Sequence, residues 1–200
     1  MSKIQANQIQ HTQNGAAVFT LPTSDGSANQ LLKTDGSGAL SFVDSAVGGK
    51  VLQVVNALTS TATTITSNSF TDTGVTDSIT TSAANSTILV LGSMAYDTAR
   101  DDHYCGARIR LVRTLSGSDS AFMESSSDKN VGAYVTSSGH FRVYGQYPIN
   151  FHDSGLSSIA AGTTITYKMQ ARVENTGASD DIRINNGSKF STLILLEIAA

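Results

Sequence analysis

The densest run of groups able to do chemistry is Asp101-Asp102-His103-Tyr104-Cys105. His103 and Cys105 stand two apart, so on a strand both would point to one face and two metal ligands could converge there. A structural zinc site needs four ligands at recognisable spacing, and the chain holds a single cysteine. The run therefore reads as a polar connection leading into a strand, and no metal site is expected. A nucleophilic triad requires a Ser or Cys, a His and a carboxylate brought together by the fold. Histidines stand at positions 11, 103, 140 and 152, serines are everywhere, and no strained Gly-x-Ser-x-Gly turn is present. Paired acids are the groups of glycoside cleavage, yet Asp101-Asp102 and Asp180-Asp181 both read as solvated turn residues. The expectation is no catalytic residue, no cofactor and no enzyme.

A second cluster is aromatic: Tyr134, His140, Phe141, Tyr144, Tyr147 and His152. With period two, Phe141, Val143, Gly145 and Tyr147 share one strand face, and His140, Arg142, Tyr144 and Gln146 share the other. One face turns to the core and the other to solvent or a neighbouring chain. Tyr134, His140, Tyr144 and Tyr147 are the candidates for a receptor- or glycan-contacting face, because Tyr and His combine an apolar body with a polar tip. Arg108, Arg110 and Arg113 read as a solvated face, or as partners for a neighbouring copy's acids, such as Glu124 or Asp128.

The elements that position these groups follow from composition. Of 200 residues, 40% are hydrophobic, enough for a core, while only 14% are charged, against the roughly 25% of an average soluble domain. Hydroxyls supply the missing polarity, with 27 Ser and 23 Thr beside 17 Gly. Thr favours strands, Ser and Gly favour turns, and long helix formers are scarce, so the chain is expected to be all-β. A net charge of −3 leaves no electrostatic footprint for nucleic acid or an anionic membrane. The longest apolar run, residues 193–196, is far short of the roughly 20 residues that span a bilayer. A single Cys and a start without an apolar leader point to a soluble product of a reducing compartment.

Composition breaks at Val47-Gly48-Gly49-Lys50, dividing the chain into an N-terminal arm, residues 1–48, and a head, residues 49–200. In the arm, Asp-Gly turns recur at Asp25-Gly26 and Asp35-Gly36, flanked by short apolar segments. The arm therefore reads as β-hairpins too thin to fold alone. In the head, strands are expected at residues 51–58, 63–66, 69–75, 77–81, 87–96, 106–113, 131–136, 140–147, 163–173, 181–185 and 191–198. About eight to eleven antiparallel strands describe a jelly-roll-like β-sandwich. Alternation divides the last strand into one face with Leu193, Leu195 and Glu197 and another with Ile194, Leu196 and Ile198. The wholly apolar second face is expected to fill the interior. Leu193 and Leu195 are expected at a subunit interface, with Glu197 reaching solvent.

These segments resemble a domain common in tailed-phage virion proteins. The likeness is carried by Gly49-Lys50-Val51-Leu52-Gln53-Val54-Val55, Ser69-Phe70-Thr71-Asp72-Thr73-Gly74-Val75, Asp77-Ser78-Ile79-Thr80-Thr81 and Asn85-Ser86-Thr87-Ile88-Leu89-Val90. It closes on Ser191-Thr192-Leu193-Ile194-Leu195-Leu196-Glu197-Ile198. Residues 24–38 are similar to a segment that recurs in fibre proteins of phages infecting marine bacteria. The resemblance implies a virion structural protein, fibre-like or decorating, homotrimeric, with a jelly-roll head, made in the host cytoplasm. It further implies other virion proteins as partners of the arm, and a host-surface glycan as a candidate partner of the head.

Overall fold

A computed structural model describes residues 6–10, 18–44, 49–100, 104–124, 130–134, 141–174 and 180–200. Among them there is no helix, and fifteen strands carry the architecture. The chain divides into two compact units, Met1–Val47 and Gly48–Ala200.

The first unit holds two hairpins. β1 (Gln8–Gln10) pairs with β2 (Val18–Thr20), and β3 (Gln30–Thr34) pairs with β4 (Leu40–Asp44). A parallel bridge, Thr20 to Ala39, ties one hairpin to the other. The β3–β4 turn is made by Asp35 and its glycines: Asp35 Oδ1 accepts the N–H of Ser37 (2.7 Å) and of Ala39 (3.0 Å), and Gly36 and Gly38 adopt φ of 84° and 98°. Those backbone N–H bonds hold the Asp35 carboxyl below its usual pKa. Asp25-Gly26 lies instead in the connection between β2 and β3. Ile9, Phe19, Leu31, Leu32 and Phe42 are all exposed.

The second unit begins with β5 (Val51–Thr59) and β6 (Thr63–Ile65), followed by β7 (Thr71–Thr80), β8 (Thr87–Arg100) and β9 (Tyr104–Leu115). The chain continues through β10 (Ser118–Phe122), β11 (Val131–Tyr134), β12 (Phe141–Asp153), β13 (Thr164–Val173), β14 (Asp181–Ile184) and β15 (Ser191–Ile198). Three pairs of these strands occupy one position each. β12 lines one edge of β8 along residues 88–100, so β15 (against 87–93) and β14 (against 96–99) share the other edge end to end. β5 and β6 continue that arrangement on the far side of β15 and β14. β10 and β11 likewise share the edge of β9 opposite β13.

Counted this way, eight positions form two antiparallel sheets with strand orders 1–8–3–6 and 2–7–4–5. That is the strand order of a jelly roll, two Greek keys folded over one core. The chain is an all-β antiparallel sandwich. Its core comes from both sheets: Ile88, Val90, Met94, Leu193 and Leu195 from the first meet Ile79, Ile109, Leu111, Ile165 and Met169 from the second.

β7 runs through the break expected between residues 75 and 77. A bulge sets Thr73, Gly74 and Val75 of β7 against Met169 alone on β13. Gly74 supplies the φ of 82° this needs, and Thr73 Oγ1 donates to the Met169 carbonyl at 2.8 Å. β12 continues past Pro148, which it tolerates because it is an edge strand.

The faces of β15 are opposite to expectation. Leu193 and Leu195 are completely buried in the core of their own chain, and Ile194, Leu196 and Ile198 face outward, half-buried. Glu197 turns inward with the leucines and is fully buried. Leu193 and Leu195 therefore form no subunit interface. The inward carboxylate is possible because backbone and side-chain donors meet it there.

Candidate functional site

Cross-strand partners share a face, so the registers give the outward surface of the first sheet row by row. The rows are Leu58–Thr192–Ser93–Pro148, Asn56–Ile194–Leu91–Asn150 and Val54–Leu196–Leu89–His152. No Lys, Arg, Asp or Glu stands among these twelve positions. Leu58 is 66% and Val54 56% exposed, both on the edge strand β5. The outward surface of the second sheet is the reverse. There Ser78 bonds Thr166 (2.7 Å) and Thr80 bonds Thr164 (2.9 Å) in a hydroxyl ladder. Beyond it, Lys168 pairs with Asp119 (3.1 Å) and Arg110 with Glu124 (3.0 Å). Arg110 thus finds Glu124 within its own chain. Arg108 pairs with Glu174 at 2.6 Å, and Asp128 lies outside the described residues.

Above the charge-free rows, the same outward surface carries a charged cluster that the sequence did not reveal. Arg142 bridges Asp97 and Asp181, Asn186 Nδ2 donates to Asp97 Oδ2 at 2.7 Å, and Arg183 grips Asp181 at 2.8 Å. Asp97 is fully buried beneath these partners. Burial opposes the charge of Arg142, but the bonds to Asp97 and Asp181 outweigh it and raise the guanidinium pKa. Asp181, read from sequence as a solvated turn residue, is a buried member of β14, and Asp180 is buried beside it.

Two further polar groups sit inside the sandwich. Asp153 takes Arg113 Nη1 on both oxygens (2.9 Å each) and the Tyr167 hydroxyl at 2.7 Å. Burial first, then the bond to Asp153, pushes the Tyr167 pKa far above its ordinary value. Arg113 thus serves the interior rather than a solvated face.

Glu197 closes the other group. Its Oε1 accepts the N–H of Ser82 (2.9 Å) and of Ala83 (3.1 Å). Its Oε2 accepts Ser82 Oγ (2.8 Å) and Gln53 Nε2 (2.6 Å). Burial pushes the carboxyl upward, but the donors of Ser82, Gln53 and Ser86 prevail and lower its pKa from 4.5 to about 2.

The residues suggested for a receptor face are not brought together. Tyr144 points outward, 59% exposed, with Lys189 Nζ 4.4 Å from its ring centroid. Tyr147 turns to the opposite side of β12 and packs on the core. Tyr134 belongs to β11 of the other sheet, and His140 lies outside the described residues. Asp101, Asp102, His103 and His11 lie outside them too, while Tyr104 and Cys105 open β9. His152 reaches Thr87 Oγ1 at 3.0 Å, but among the described residues no carboxylate orients its ring as a triad requires. Among the same residues no group of three or more His, Cys, Asp or Glu could hold a metal ion.

The fold is thus a jelly roll with one charge-free outward face, and comparison with known proteins adds only distant likenesses. No protein family matches the sequence, and no curated protein is similar to it. Among solved structures, the chain is similar to the T13 viral particle of infectious bursal disease virus, at 12% identity and a TM-score of 0.39, over 80% of this chain and 38% of that one. It is similar also to the VP2 subviral particle of the same virus, at 14% identity and a TM-score of 0.36, over 92% of this chain and 47% of the other. The chain spans less than half the length of either. The jelly-roll assignment rests on this chain's own strand order.

Proposed function

We propose that this chain is a virion structural protein of a tailed phage, a short homotrimeric fibre of the head or tail. Residues 1–48 attach it to the particle, and the jelly roll of residues 49–200 projects. The observation that carries this reading is the charge-free outward face, a surface suited to protein contact on a domain whose other outward face is already satisfied. The arm points the same way. Its hairpins leave Ile9, Leu31 and Leu32 exposed, and strand pairs this small need a host surface to pack on. The sequence resemblance to phage fibre and decoration proteins supports the same role, and the buried ionisable groups serve the fold rather than a reaction.

The test is immunogold labelling of purified particles together with counting of copies. Label on the particles at a few dozen copies or fewer supports the fibre. Hundreds of copies would make it a decoration protein of the capsid, and absence from particles ends the reading. Deleting residues 1–46 should leave particles without the protein.

A further inference from the structure

We propose that Asn186 is a site of spontaneous deamidation, and that the carboxylate so formed releases the turn between β14 and β15 from the outward surface of the first sheet. The inference is independent of the role proposed above.

Asparagine is followed by glycine twice in the sequence, at Asn14-Gly15 and at Asn186-Gly187. In such a pair the glycine nitrogen attacks Cγ of the asparagine, because glycine has no side chain to crowd the approach. The new N–Cγ bond closes a succinimide ring as the Cγ–Nδ2 bond breaks. The proton of the Gly187 N–H passes through solvent to the leaving nitrogen, which departs as ammonia. Water then opens the ring at either carbonyl, giving aspartate or isoaspartate, and no other reactant is needed.

The local structure leaves the attacking nitrogen available. Gly187 is exposed, a Cβ there would meet nothing within 4 Å, and among the described residues its N–H donates to no protein group. The turn is also held in an uncommon conformation: Asn185, Gly187 and Ser188 have φ of 55°, 68° and 62°. Side chains resist this left-handed region, so the turn persists only while its ties to the sheet hold. Asn185 is bound at its root, to the carbonyls of Ala95 (3.1 Å) and Thr61 (3.2 Å). Beyond it, the turn is tied by Asn186 Nδ2 to Asp97 Oδ2 at 2.7 Å, and by Lys189 Nζ over the Tyr144 ring.

Deamidation reverses the first of these ties. Asp97 has the strand parity of Leu89 and Leu91 and so points outward, yet it is fully buried, and Asn186 is part of its cover. A carboxylate at position 186 would face that buried carboxylate in a cluster where Arg142 and Arg183 already match Asp97 and Asp181. The new charge moves out toward solvent and Lys189, and Asp97 Oδ2 stays inside without its donor.

Peptide mapping by mass spectrometry of the full chain tests the reaction. The chain is incubated at mildly alkaline pH, native and unfolded in guanidinium chloride, with Asn14-Gly15 as the internal reference. Both pairs should convert in the unfolded chain. Asn186 should convert in the native protein too, more slowly because Asp97 holds its amide. Asn186→Asp, which carries the product's charge, should lower the urea midpoint at pH 7 by roughly 1 M, and Asn186→Ser, which loses the bond without adding charge, by less. A native chain unchanged at residue 186 after the unfolded chain has fully converted overturns the site. An Asn186→Asp midpoint equal to that of the wild type, or to that of Asn186→Ser, overturns release by charge.

Discussion

Replacing Glu197 by Gln keeps the shape of the side chain and removes its charge, so it isolates what the buried carboxylate contributes. A carboxyl whose pKa falls from 4.5 to about 2 on folding stabilises the folded state by about 3 kcal/mol at neutral pH, at about 1.4 kcal/mol per unit. Because the folded pKa is the lower one, this contribution is complete above about pH 4.5 and disappears as pH falls toward 2. Gln retains one acceptor oxygen but turns an N–H₂ toward donors from Ser82 and Gln53, so little of the loss is recovered. With an m-value of about 2 kcal/mol/M, Glu197→Gln should lower the urea midpoint at pH 7 by roughly 1.5 M. The gap between variant and wild type should be about halved at pH 3 and near zero at pH 2. Equal midpoints at pH 7, or a gap as wide at pH 3 as at pH 7, would refute the reasoning.

Three other substitutions probe the interior. Leu195→Ala should cost about 2–5 kcal/mol in urea unfolding, because Leu195 is fully buried in its own chain, and a variant as stable as the wild type would contradict that burial. Asp153→Ala strands Arg113 and the Tyr167 hydroxyl inside the sandwich and should cost about 3–5 kcal/mol, measured in the same way. A Cβ on Gly92 would stand 2.2 Å from the Thr192 carbonyl oxygen, so Gly92→Ala should part β8 from β15. Hydrogen exchange over residues 191–198 should then accelerate relative to residues 164–173, and unchanged protection would show that the strands accommodate the methyl group.

The strand positions were legible because period two and the Asp, Asn and Gly clusters are local signals, and residues 191–198 were bounded as the structure has them. The faces of that strand were not. Leu193 to Leu196 are apolar on both sides, so only Glu197 could break the tie, and a lone carboxylate reads as a mark of solvent. What draws it inward is a set of donors at Ser82 and Ala83, 115 and 114 residues away in sequence. The Asp97–Arg142–Asp181 cluster was hidden for the same reason. Its members stand on three strands, and only the pairing of β8 with β12 and β14 brings them together. Asp153 offered a usable signal, since it shares strand parity with Ile149 and Phe151.

The position of β15 between β5 and β8 has a consequence for synthesis on the ribosome. β5 and β8 are made early but never touch as neighbours; the gap between them is filled by the strand that emerges after all the others. Gln53 waits for Glu197, 144 residues later. Until then the first sheet is two separate pieces, each with an open edge and an uncovered apolar side. Contacts this distant in sequence are closed slowly, so the first sheet is completed only after β15 has been made and has found its place between β5 and β8.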